Sequence, residues 1–199
     1  NLWKQAEIIA QKDQPKSEIG VMKKIISKAS AAKDYGQLMA AEMRQMILWK
    51  EISADSLTPN VERMEAEVLK VKDPALKAVR YAVLGKVYSD MDEKKSEEFF
   101  KKALQQPELL AKHTSTEYVP LTLKGVDGSS FNNDLLHLIG FEADSKEAYH
   151  LMYTYYNKVE NRGAACLCAY KLIEKYRQDD VREVKKSKYL QTIDSLIQV

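Results

Sequence analysis

The residues of this chain whose chemistry could exceed packing are two cysteines, three histidines and a few clustered charges. Cys166 and Cys168 form a Cys-x-Cys pair inside an apolar stretch, 164–170. On a helix, positions i and i+2 point well apart, so the two thiols cannot close an intrahelical disulfide. They read as small core hydrophobes, with a redox or metal role as the sharper alternative. His113, His137 and His150 are far apart and lack carboxylates at ligand spacing, which makes no metal site. Asp90, Asp92 and Glu93 do not have the spacing of a calcium loop and read as turn and N-cap residues. Lys101-Lys102 and Lys185-Lys186 sit among interleaved acids and read as solvated pairs. Phosphate loops, dinucleotide glycine motifs, nucleophile elbows and H-E-x-x-H are all absent from the sequence. The expectation is no catalytic residue, no cofactor-binding residue, no metal ligand and no cofactor: a protein that is not an enzyme.

Tyrosine is the remaining chemical signal. Seven of the eleven follow residue 148. Tyr149, Tyr153 and Tyr156 share one helix face at i, i+4 and i+7 and read as packing residues. Tyr155 points the other way. A tyrosine presents a broad apolar face and a hydrogen-bonding tip, so Tyr155 is the candidate for an exposed partner contact.

The elements that must position these residues are helical. Only 7 glycines and 5 prolines interrupt 199 residues, and apolar residues recur at helical spacing throughout. Ile19, Met22, Ile26 and Ala29 make one stripe; Leu38, Met39, Met43, Met46, Ile47 and Ile52 mark the next helix. Thr58-Pro59 and Asp73-Pro74 read as N-cap followed by the first helical residue. Val61, Met64, Val68 and Leu69 face a core, as do Leu76, Val79, Val83, Val87 and Tyr88. Leu84, Tyr88 and Phe100 are expected to pack together. Asp144-Ser145-Lys146-Glu147 reads as an Asp variant of the capping box. Asn161 caps the next helix, to about Tyr176, and a last helix begins near Asp180 with Val181, Val184, Leu190, Ile193 and Ile197. About ten helices result, with short turns that make neighbours antiparallel.

Residues 113–130 break this rhythm, and helix resumes near Phe131 and runs to Ile139. They hold Pro120, Gly125 and Gly128, and 116–123 read as extended. Tyr118, Val119, Leu121, Leu123, Val126 and, just beyond, Phe131 are too many apolar side chains for a free linker. The segment is expected to be packed across the helices, with Thr122 and Lys124 as further candidate partner contacts and the two glycines permitting tight reversals.

Two windows fit tetratricopeptide spacing. Tyr81-x2-Leu84-Gly85-x2-Tyr88 leads to Ser96-x3-Phe100-x2-Ala103, and Tyr149-x2-Met152-Tyr153-x2-Tyr156 leads to Ala165-x3-Ala169-x2-Leu172. Gly85, Ala165 and Ala169 are small enough for close helix approach. The earlier helices match poorly. The predicted architecture is therefore all-α: antiparallel helical hairpins stacked as an irregular tetratricopeptide-like α-solenoid with one long packed loop. One domain is expected over 1–199, with sections 1–112 and 131–199 joined by loop 113–130. The balance of 31 Lys plus Arg against 29 Asp plus Glu, a net charge of +2, gives no argument for nucleic acid. No apolar run is long enough to span a membrane.

Four segments carry a resemblance: Leu2-Trp3-Lys4-Gln5, Tyr35-Gly36-Gln37-Leu38, Pro107-Glu108-Leu109-Leu110 leading to Tyr118-Val119-Pro120-Leu121, and Phe131-Asn132-Asn133-Asp134-Leu135-Leu136-His137-Leu138-Ile139-Gly140. Together they resemble the N-terminal helical region of alpha-2-macroglobulin-like envelope proteins of Gram-negative gut bacteria. Neither the macroglobulin β-sandwich domains nor the thioester motif of some relatives occurs here, so no protease-trapping residue is assigned. The resemblance implies a periplasmic or outer-membrane-associated scaffold that contacts protein or neighbouring domains of its own chain, without enzymatic activity. The alternative is a stand-alone tetratricopeptide-like peptide-binding module. A start at Asn1 and an apolar finish at Val199 fit a fragment of a longer protein.

Overall fold

The computed structural model describes residues 1–53, 57–122, 125 and 127–183, with side chains to residue 178. The expectations on Leu123, Lys124, Val126, Val184, Lys185, Lys186, Leu190, Ile193 and Ile197 lie outside these residues. Among the described residues the chain is helical, and no strand forms beyond one isolated bridge, Thr114 with Asp134. The helices are α1 (Leu2–Ala10), α2 (Pro15–Ala32), α3 (Tyr35–Ile52), α4 (Leu57–Lys70) and α5 (Pro74–Tyr88). There follow α6 (Glu93–Ala103), α7 (Pro107–Leu110), α8 (Leu135–Ala143), α9 (Lys146–Lys158) and α10 (Arg162–Glu183). Sequence neighbours pack in pairs, most extensively α2 with α3, α5 with α6 and α9 with α10.

Aspartates start several of these helices by giving orphan backbone N–H groups an acceptor. Asp34 accepts from the Gln37 N–H at 3.1 Å, Asp73 from Leu76 at 2.7 Å and Asp92 from Lys95 at 3.1 Å. Pro15 and Pro74 occupy first-turn positions, where proline's missing N–H is harmless. Other boundaries differ from the sequence reading. Helix α4 already begins at Leu57, so Pro59 is its third residue and Thr58 is not the cap. Ser145, not Asp144, caps α9, accepting from the Ala148 N–H at 3.1 Å. Asp144 instead ends α8 in the left-handed region, φ 44°. Helix α10 runs without a break to Glu183; no glycine or proline lies between Tyr176 and Asp180 to stop it.

Two apolar cores result. The smaller holds Ala6, Ile19, Met22, Ile25, Ala41 and Leu48, with Trp3 and Trp49 packed at its edge. The larger gathers buried residues from α3 through α10. Helix α3 serves both: Met39 and Met46 enter the larger core, Ala41 and Leu48 the smaller. Steps of two residues rotate by roughly 200°, so these pairs lie on opposite faces. Ile47 of the expected stripe is 48% exposed and Leu69 is 69% exposed, while Ile25, outside the expected stripe, is buried.

In the α5–α6 pair Leu84, Tyr88 and Phe100 are all buried in the larger core. The Phe100 ring lies over Gly85, where a Cβ would stand 2.8 Å from the ring. Tyr88 stacks on Phe99 at 5.5 Å rather than on Phe100. The Ser96 hydroxyl donates to the Gly85 carbonyl at 2.8 Å and closes the pair.

Candidate functional site

The segment from the end of α7 to the start of α8 is packed, but not as an extended strand. Residues Ser115–Tyr118 and Gly128–Phe131 form 3-10 turns. Its two ends are tied together: Leu135 N–H donates to His113 C=O and Ser115 N–H to Asn133 C=O, each at 2.9 Å. Tyr118 and Phe131 are buried in the larger core, whereas Val119 is exposed. The expected glycine reversals are replaced by polar residues. No glycine has positive φ; Asp127, Asn132 and Asn133 take the left-handed region at 58°, 54° and 54°, which Asn and Asp tolerate better than other side chains. A glycine is needed instead for a close approach on α3. A Cβ on Gly36 would stand 2.5 Å from the Tyr118 carbonyl carbon, so the segment rests directly on the first turn of α3.

Asp134 anchors this arrangement. It is buried, caps α8 by accepting from the His137 N–H at 2.8 Å, and accepts the Tyr156 hydroxyl at 2.8 and 2.9 Å on its two oxygens. Burial raises its pKa to about 6, despite the hydrogen bonds from His137 N–H and Tyr156 that favour the anion. Burial likewise pushes the Tyr156 phenol upward. The His137 ring is buried in an aromatic box, stacked on Phe131 at 4.1 Å and edge-on to Phe141 at 4.5 Å.

Beside this cluster a cleft of about 480 Å³ opens between α3, α5, α8 and the covering segment. Its walls are apolar, from Met43, Val79, Val83, Leu121 and Leu138, with His137 also lining it. Lys86 and Glu142 form a 2.9 Å ion pair between exposed side chains that line the same cleft. The volume falls within the range of ligand and segment-binding pockets.

Of the three candidate contacts, Thr122 is the one shown at the cleft. Thr122 lines the cleft, half-buried, and its hydroxyl donates to the Ser115 carbonyl. Tyr155 is half-buried rather than exposed: its ring meets Tyr156 edge-on at 5.2 Å, and burial raises its phenol, helped by the charges of Asp134 and Glu108. The helix face that carries Tyr155 is thus not turned wholly to solvent, because the ring packs against the larger core. Lys124 is outside the described residues. His113 pairs with Glu117 at 2.8 Å, and His150 is exposed. The buried Cys168 thiol is pushed up to about 12 by desolvation, which keeps it protonated and unreactive at neutral pH; Cys166 is exposed. Among the described residues no group of three His, Cys, Asp or Glu side chains is placed to hold a metal ion.

Sequence reasoning missed the Asp134–Tyr156 bond and the aromatic box. The signal for the first was Asp134 ahead of an apolar run, an N-cap pattern hidden by placing the helix start at Phe131. No family model, curated protein or solved structure matches the chain. No described helix is long and apolar enough to cross a membrane.

Proposed function

We propose that the chain is a non-enzymatic helical scaffold that contacts protein through the cleft between α5, α8 and the covering segment. In this reading it is the N-terminal region of a large alpha-2-macroglobulin-like envelope protein, periplasmic or outer-membrane-associated. Its helix pairs stack as irregular tetratricopeptide-like hairpins, and the cleft receives a neighbouring domain of the same polypeptide. The observation that carries the reading is the cleft itself: apolar walls inside a frame held by Asp134, with charge, among the described residues, confined to Lys86 and Glu142. Such a pocket suits an apolar side chain projected from a polar segment. The second reading, a stand-alone peptide-binding module, uses the same cleft for a separate protein.

A photo-crosslinking residue in place of Ala82, in the parent protein, tests this. Crosslinks to a later segment of the same polypeptide support the scaffold reading. Crosslinks to a separate protein favour the stand-alone module. Absence of any crosslink at Ala82, while control surface positions do capture protein, overturns the cleft as a contact surface.

A further inference from the structure

A second, chemically different cleft lies on the N-terminal helices. It has a volume of about 360 Å³ and is walled by α2, α3 and α4. Gln45 of α3 is at its floor, only 6% exposed, and its amide makes no hydrogen bond to another described residue. The residue is buried, yet its amide reaches the open space of the cleft, where a ligand can meet it in place of water. Trp49, one turn further along α3, forms a wall, and its indole N–H is likewise unbonded among the described residues. Lys23 of α2 and Arg63 of α4 supply two cations to the lining, Asn60 a second amide and Ser27 a hydroxyl; among the described residues the lining holds no carboxylate. Arg63 reaches Glu67 at 3.3 Å with one nitrogen, and with its side chain about half exposed it is free to reorient.

From this set we propose that the cleft binds a carboxylated sugar of the hexuronate class. The indole face, with its negative quadrupole, suits the weakly positive C–H face of a pyranose ring. The Gln45 amide, which can donate and accept, matches ring hydroxyls, which do the same. Arg63, with Lys23, matches the carboxylate through charge-assisted hydrogen bonds. A simple inorganic anion would use the cations and leave the amide and the indole unmatched; a neutral sugar would do the reverse.

The test follows the two indole N–H signals by NMR while D-glucuronate, glucose and inorganic phosphate are titrated separately. A Trp3→Phe variant assigns them. Trp3, held elsewhere by a bond to Gln37, is the internal control. Glucuronate is expected to shift Trp49 and leave Trp3 in place. Glucose should bind Trp49 about tenfold more weakly, and phosphate should leave Trp49 unmoved. The exposed pair of changes Lys23→Gln and Arg63→Gln, with fold checked by circular dichroism, should reduce glucuronate to the level of glucose. Gln45→Met should weaken both sugars. A Trp49 signal that ignores glucuronate overturns the proposal. So does a phosphate shift equal to that of glucuronate, which would mean an adventitious anion only, or glucuronate binding unchanged by the double variant.

Discussion

The two cores are built differently. The smaller, under α1, α2 and one face of α3, is mainly aliphatic. It is fastened by one well-formed ion pair, Arg44 to Glu18 at 2.7 and 3.0 Å. The larger is aromatic and polar-pinned, with Phe131, His137, Phe141, Tyr149 and Tyr156 in mutual contact. There Asp134 holds Tyr156, and Asp144 accepts from Tyr149 at 2.7 Å and from Lys175 at 2.6 Å. An aliphatic core tolerates repacking as long as volume is kept. A core of stacked rings and buried hydrogen bonds depends on geometry, since each ring or donor lost leaves a partner unmatched. The smaller region is thus the more plastic body, and the larger fixes the position of its cleft.

The largest effect is expected at Phe131. It is fully buried and touches three rings, so Phe131→Ala should cost about 3–5 kcal/mol by urea denaturation. A volume-keeping change in the smaller core, Met22→Leu, should cost less than about 1.5 kcal/mol. Equal losses at the two sites would erase the contrast. Both tryptophans border the smaller core, so indole fluorescence reads that region while far-UV circular dichroism reads the whole chain. Because α3 is shared, the two signals should change together in the parent chain.

Next in size is Gly36→Ala, which sets a methyl against the backbone of Tyr118 and Val119. Backbone cannot swing aside as a side chain does, and a loss of about 1–3 kcal/mol is expected. A melting temperature equal to that of the parent would mean the segment does not rest on α3.

Asp134 gives the larger region a pH signature. Its folded value, about 6, lies above the ordinary 3.8. Its contribution to stability is therefore fully present below about pH 4 and is lost as pH rises through 6. Asp134→Asn removes the titration while keeping an acceptor. Relative to the parent, this variant should gain about 1–3 kcal/mol between pH 4 and pH 7. A constant difference across that range would show that burial does not perturb this carboxyl. The smallest effect belongs to Leu69, largely exposed on α4; Leu69→Ser should change stability by no more than about 0.5 kcal/mol.

What was legible in the sequence follows the same division. Helix type, the aspartate caps at 73 and 92 and the α5–α6 pair were readable, because each depends on neighbours within a turn or two. The double burial of α3 was not. A helix with apolar residues on opposite faces blurs the single stripe that periodicity detects, so Ile47 was placed inward and the split between Met39 and Ala41 was missed. The start of α8 was displaced because Phe131, apolar and close to the helix, belongs to a 3-10 turn instead. Helix spacing alone puts Tyr155 outward, and its partial burial comes from packing against the larger core, which spacing does not show. The cleft and the Gln45 pocket join residues from three or more elements, which no local spacing reveals.

The central claim is that the segment between α7 and α8 is an integral part of the larger core, not a linker. Native-state hydrogen exchange at the Leu135 and Ser115 amides tests it most directly, since their bonds to His113 and Asn133 close the segment. Both should exchange as slowly as the Leu84 amide in the middle of α5, and only with global unfolding. Exchange at the rate of an open loop, while Leu84 stays protected, would contradict it.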